Sequence, residues 1–185
     1  MWLDMYMRKK LDVKNWDFKG PSERHKVTVT KNGQSIKWLD CDKIEELTID
    51  AMYWRKANAI HSWFVNNVQD WVDECEEHYV SHEQLKRLMN ICKTILDKAV
   101  LKEWMIKNWY SITAKWKEPI MQEWKFIENS EEICKYLPTE SWFFFGSTDY
   151  DEYYLQDVRE TYEWLEKEIN SPLFEELRFY YQSSW

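Results

Sequence analysis

"DKIEELTIDAMYWRKANAIHSWFVNNVQ", residues 42 to 69, is the stretch on which the reading of the fold turns. Within it Tyr53, Ala57, Ile60, Phe64 and Val68 follow one another at steps of three or four, which lays them along one face of a helix. The spacing predicts a helix entered after Asp42 and running to about Gln69, the longest in the chain. Upstream, "WLDMYMRKK" (residues 2–10) alternates as a strand does. "KVTVTKNGQSIKW" (residues 26–38) is β-branched around Asn32-Gly33, a dipeptide that supplies the positive φ angles of a tight hairpin turn. Downstream, the Ser81 hydroxyl caps a helix and Gln84 closes the box from its third position. That predicts a second helix from His82 to Lys98, burying Leu85, Leu88, Ile91, Cys92 and Ile95.

Residues 103–136 show no sustained period, since Trp104, Trp109, Trp116 and Trp124 share neither a helical face nor a strand alternation. They read as an irregular insertion with room for one hairpin. Pro138 then breaks the chain and "WFFF" (142–145) reads as a buried strand. Asp149 with Glu152 forms a capping box for a third helix from about Tyr150 to Ile169, burying Tyr154, Leu155, Val158, Tyr162 and Leu165. The tail from Pro172, with Leu173, Phe174, Leu177 and Phe179, reads as a short terminal helix. Small N-terminal and central strands packed on three main helices make an α+β fold, expected as a single domain over residues 1–185.

Composition bounds the function. Lys plus Arg is 25 against 33 Asp plus Glu, a net charge of −8, which argues against duplex nucleic acid or an anionic membrane as partner. The opening residues lack a signal-peptide pattern, no apolar run approaches the ~20 residues that span a bilayer, and Cys41, Cys75, Cys92 and Cys134 are widely spaced. A reduced, cytoplasmic protein without a cofactor is expected. Glycine is the anomaly: a chain of this length should hold roughly 13 by average usage, yet it has 3 Gly against 13 Trp.

"MWLDMYMRKK" (1–10), "YWRKANAIHSWFVNNVQ" (53–69) and "FFFGSTDYDEYY" (143–154) resemble, in the same order, an uncharacterised family of small phage-encoded proteins. The resemblance covers about residues 1–100 and 136–169 and implies the cytoplasm of a host cell as the setting. In that family pattern glycine stands where this chain has Trp2, Trp71 and Trp142, whereas Trp54 and Trp63 match as tryptophan. A genome that reads UGA as glycine, translated with a table that reads it as tryptophan, would write this pattern. The codons at 2, 71, 142 and the four tryptophans from 104 to 124 are then expected to be UGA, and those at 54 and 63 UGG.

Two clusters carry candidate chemistry. On the expected long helix, Trp54, Asn58, His61, Val65 and Gln69 form a strip beside the apolar one, and His61 is the member that titrates near neutrality. Ser147, Thr148, Asp149, Tyr150 and Asp151 form a turn into a helix N-terminus, where free N–H groups favour an anion and the two aspartates oppose one. Each has a plain alternative, a solvent-edge histidine in the first case and simple capping in the second. Cys75, His78 and His82 are spaced as metal ligands but lack a fourth partner and a Cys-x-x-Cys knuckle, so no metal is expected. Gly-rich phosphate loops, nucleophile elbows and zinc-protease helix motifs are absent from the sequence.

Three functions fit. The first is a pocket between the long helix and the "FFFGSTDYDEYY" segment, lined by Trp54, Asn58, His61, Ser147, Thr148 and Tyr150, that holds a small polar or nucleotide-like ligand and counters host defence signalling. The second is a hydrolase with His61 as base and Asp149 or Asp151 as its partner. The third is an acidic inhibitor that covers a basic host protein. Binding ranks first because the polar groups converge while no recognisable nucleophile set does.

Overall fold

The computed structural model describes residues 3–36, 38–112, 117–141 and 147–185. The strand expected at 142–145 lies outside them. In chain order the elements are β1 (Asp4–Asp12), β2 (Thr30–Lys31), β3 (Gln34–Ser35), β4 (Glu46–Arg55), α1 (Asn58–Asn67), β5 (His78–Val80) and α2 (His82–Lys98). They continue with β6 (Leu101–Ile112), β7 (Lys117–Ile127), α3 (Ser130–Ile133), α4 (Glu152–Ile169) and β8 (Leu177–Ser184). The fold is α+β. Its centre is an antiparallel sheet of order β4-β1-β8-β5, with two separate hairpins, β2-β3 and β6-β7.

The decisive stretch is not one long helix. Residues 46–55 form an edge strand on β1, and α1 is only 10 residues long. A bulge explains why the sequence misleads: Arg8 pairs with Asp50 and Met7 with Met52, which leaves Ala51 without a partner. Leu47 and Ile49 on one side of the bulge and Met52 and Trp54 on the other then sit opposite the alternate residues Leu11, Lys9, Met7 and Met5 of β1. Along this face the step from the exposed Ile49 to the half-buried Met52 is three residues, a helical step produced by a strand irregularity.

The tail is likewise extended. After a single turn at Phe174–Glu176, β8 inserts between β1 and β5 and buries Leu177, Phe179, Tyr181 and Ser183 in strict alternation. Within residues 103–136, expected to be an irregular insertion with room for one hairpin, most of the described chain is strand: β6 and β7 pair antiparallel from the Leu101/Ile127 pair to the Ile112/Lys117 pair. Residues 101–105 and 121–123 are exposed on both faces, so these parts of the two strands have no inward side to write a periodic signal, and among the described residues burial in the hairpin is confined to 124–127 at the base of β7.

Local signals are followed where capping sets them. α2 spans His82–Lys98 under the Ser81–Gln84 box and buries Leu85, Leu88, Cys92 and Ile95, with Ile91 half-buried. Asn32 and Gly33 both take positive φ in the β2-β3 turn. α4 starts at Glu152, and its cap is Asp151 rather than Asp149: Asp151 Oδ1 accepts from the Tyr153 and Tyr154 N–H groups, both at 3.0 Å. α4 buries Tyr154, Leu155, Val158 and Leu165 with Thr161 and Trp164, while Tyr162 is half-buried. Among the described residues no helix is long and apolar enough to cross a membrane.

One backbone angle bears on the tryptophan surplus. Trp71, in the turn after α1, has φ +68° and is 75% exposed. Left-handed backbone costs a bulky L-residue about 1–2 kcal/mol and costs glycine almost none. Little burial is lost on truncation at so exposed a site. Trp71→Gly is therefore expected to stabilise the protein by about 1 kcal/mol after the added unfolded-state entropy of glycine is subtracted. A higher urea midpoint at unchanged slope would show it, and a lower midpoint would refute it.

Candidate functional site

The junction of β4 and α1 builds one wall of a cleft. Lys56 takes φ +62°, and its N–H donates to the Leu3 carbonyl at 2.9 Å, so the chain reverses within two residues and α1 begins at Asn58. A non-glycine residue held in this region is strained by about 1–3 kcal/mol, and such strain clusters at ligand sites. Asn58 is buried, and its Nδ2 donates to the Ser147 carbonyl at 2.6 Å, pinning the opposite wall.

That wall is a hydrogen-bonded turn. Ser147 Oγ donates to Asp149 Oδ2 at 2.8 Å and accepts from the Asp149 N–H at 3.0 Å. Asp151 bridges to Phe126 at the end of β7, which brings Trp124 to the cleft, where its ring lies 5.8 Å from that of Tyr153. Between the walls lies a cavity of about 570 Å3 that touches Arg55, Lys56, Asn58, Ser147, Asp149, Asp151 and Asp157. A volume of this order suits a small organic ligand.

Electrostatics divide the carboxylates. Burial raises the pKa of Asp151, opposed by the two N–H groups its carboxylate caps. Asp157 is pushed up to about 7, first by burial and then by the like charges of Glu160 and Asp151. It can therefore hold or release a proton near neutrality.

The residues expected to converge do so only in part. Asn58, Ser147, Asp149 and Asp151 share the cleft. Trp54 is buried, and its Nε1 donates to Thr161 Oγ1 at 2.8 Å, which makes it part of the core. Thr148 and Tyr150 instead fasten Thr139: the Thr148 carbonyl accepts from Thr139 Oγ1 at 3.0 Å and the Tyr150 hydroxyl accepts from the Thr139 N–H at 3.1 Å.

His61 does not line this cleft. It is buried, with Nδ1 2.7 Å from the Tyr181 hydroxyl and Nε2 3.2 Å from Asp73 Oδ2, beside a separate cavity of about 280 Å3 that includes Trp71 and Glu140. Burial lowers its pKa, and Asp73 opposes the shift. With Nε2–H donating to the Asp73 carboxylate, Nδ1 accepts from Tyr181. The His61–Asp149 or His61–Asp151 pairing is thus replaced by Tyr181–His61–Asp73.

Among the described residues no group of three His, Cys, Asp or Glu side chains could hold a metal. His82 Nε2 donates to the Leu177 carbonyl at 2.8 Å, and His78 faces Glu74 at 3.3 Å, so Cys75, His78 and His82 do not form a set. Sequence reasoning missed Arg55, Lys56, Trp124 and Asp157. The signal for Asp157 was a carboxylate directly beside Val158 in the apolar stripe of α4. Trp124 lay in the stretch without a period. No known protein family, curated protein or solved structure matches the chain.

Proposed function

We propose that the chain is a phage-type accessory protein that binds a small polar, nucleotide-like ligand in the cleft between the β4–α1 junction and the start of α4, and counters host defence signalling by sequestering it. The observation that carries this reading is the distribution of charge around the 570 Å3 cavity, with Arg55 and Lys56 on one wall and Asp149 and Asp157 on the other. A nucleotide presents the complementary pattern. Its phosphate suits the cations, its base N–H or ribose hydroxyl groups suit the carboxylates, and its flat ring suits the Trp124–Tyr153 edge. The phage setting rests on the resemblance of residues 53–69 and 143–154, which flank the same cleft in sequence.

A hydrolytic reading draws on Asp157, whose pKa of about 7 is that of a general base. The acidic-inhibitor reading keeps the net charge of −8 as its support.

Thermal unfolding in the presence of purine nucleotides, cyclic dinucleotides and ADP-ribose tests the proposal. A bound nucleotide at 100 times its dissociation constant adds about 2.7 kcal/mol. Lys56→Gly keeps the positive φ while removing the charge, and Asp149→Ala removes the acceptor on the opposite wall. Both are expected to lose most of that gain, while His61→Gln keeps it. No shift with any of these compounds, or an equal shift in Lys56→Gly, would overturn the assignment of the cleft.

A further inference from the structure

Of the carboxylates around the cleft, one is not used by the fold. Asp149 is bonded to Ser147 Oγ, and Asp151 caps α4. Asp157 also lines the cavity and is half-buried, yet among the described residues no donor or cation engages its carboxylate. Only its backbone carbonyl is bonded, accepting from Thr161 Oγ1 at 2.7 Å. A carboxylate withdrawn from water without donors is costly to ionise, and with the like charges of Glu160 and Asp151 this is what lifts its pKa to about 7. A ligand that brings N–H or O–H groups to it removes that cost.

The surface next to Asp157 says what kind of ligand group this is. Tyr153 stands one helical turn earlier on the same face of α4, lines the same cavity and is 57% exposed. A flat ring surface therefore adjoins two acceptor oxygens. Such a pair suits a planar heterocycle whose edge carries two adjacent donors. Guanine has that edge, N1–H beside the 2-amino group. Adenine and cytosine set a ring acceptor beside their amino group, where its lone pair repels a carboxylate, and uracil offers one N–H between two carbonyls. A ribose diol also supplies two donors but has no flat face for Tyr153.

We infer, resting on the reading of the cleft as a nucleotide site, that the base it selects is guanine: the Asp157 carboxylate accepts from guanine N1–H and N2–H as a fork, with the purine ring against Tyr153. Two parallel bonds to an ionised acceptor give both affinity and discrimination, because every other base leaves one of the oxygens unpaired or faced by a lone pair.

Calorimetric titration of the whole protein at pH 8 with GMP, IMP, AMP and 2′-deoxy-GMP tests the assignment. GMP is expected to bind tightest. IMP keeps N1–H but lacks the 2-amino group, and should bind about tenfold more weakly, with AMP weaker again. The 2′-deoxy form should match GMP. The GMP-to-AMP ratio should also fall about tenfold or more from pH 8 to pH 6, since below about 7 the ligand must bind against a proton on Asp157. The other charged groups around the cavity are Arg55, Lys56, Asp149 and Asp151, with Glu160 nearby on α4, while α1 contributes the non-titrating Asn58 and Ile60. The phosphate is common to GMP and AMP, so its own titration cancels in the ratio. Asp157→Asn breaks no bond of the fold, turns one acceptor into a donor, and is expected to abolish both the guanine preference and its pH dependence. Equal binding of GMP and AMP, an unchanged ratio in Asp157→Asn, or a large loss with 2′-deoxy-GMP would overturn guanine selection and leave the cleft a general nucleotide site. Binding of none of the four would overturn the nucleotide reading and this inference together.

Discussion

Truncating Phe64 to alanine is expected to lower the free energy of unfolding by about 4 kcal/mol, toward the upper end for a buried phenylalanine. Phe64 is fully buried, stacked on Tyr181 at 4.0 Å and 10°, tilted against Trp54 at 6.0 Å and edge-on to Trp63 at 5.1 Å. The cost of such a cavity depends on how far its walls can close. Here they are tethered, because the Tyr181 hydroxyl is bonded to His61 and the Trp54 indole to Thr161. Neither ring can slide inward without breaking a buried hydrogen bond. A domain of this kind has about 5–15 kcal/mol in total, so the urea midpoint should fall by about 2 M with its slope unchanged. A loss under about 1.5 kcal/mol would mean that the neighbours collapse into the space and that the tethers do not hold.

Replacing His61 with leucine is expected to cost about 2–3 kcal/mol at neutral pH, because it strips a partner from the buried Tyr181 hydroxyl and from Asp73. The loss should depend on pH in a definite direction. Burial holds the His61 pKa below its ordinary value of 6.5 in the fold. As pH falls through 6.5 the unfolded chain therefore takes up a proton that the folded chain resists, and the wild-type protein loses stability on the acid side. Leucine cannot titrate, so the gap between the two proteins should narrow from about pH 7 to pH 5. Asp157 acts in the opposite sense: its pKa, raised to about 7, contributes stability below its ordinary 3.8 that is lost as pH rises through the folded value. Both proteins share that contribution, and it cancels in the difference. A gap that widens in acid would show His61 to be charged in the fold, its pair with Asp73 outweighing its burial.

How much of this was legible depended on the reach of each interaction. The boundaries of α2 are set by Ser81 and Gln84 acting on N–H groups within three residues, and the β2-β3 turn by the φ angles of Asn32 and Gly33. The strip Asp4–Asp12 alternated plainly because β1 lies in the middle of the sheet with one face buried. The composition by itself raised the question of the scarce glycines, and the left-handed Trp71 supplies one position where a glycine would sit without strain.

Other features rest on partners far away in sequence. β4 differs from a helix only because β1 pairs with it through a bulge at Ala51, and β8 is a strand because β1 and β5 offer it two edges, from more than 160 and almost 100 residues upstream. His61 lost its expected partner to Tyr181, 120 residues downstream. Arg55 and Asp157 share a cleft although 102 residues separate them. Caps and turns close their hydrogen bonds within a few residues, so the sequence by itself determined them. A strand leaves its N–H and C=O groups open until another part of the chain arrives, so only the tertiary structure could decide the sheet and the cleft built on its end.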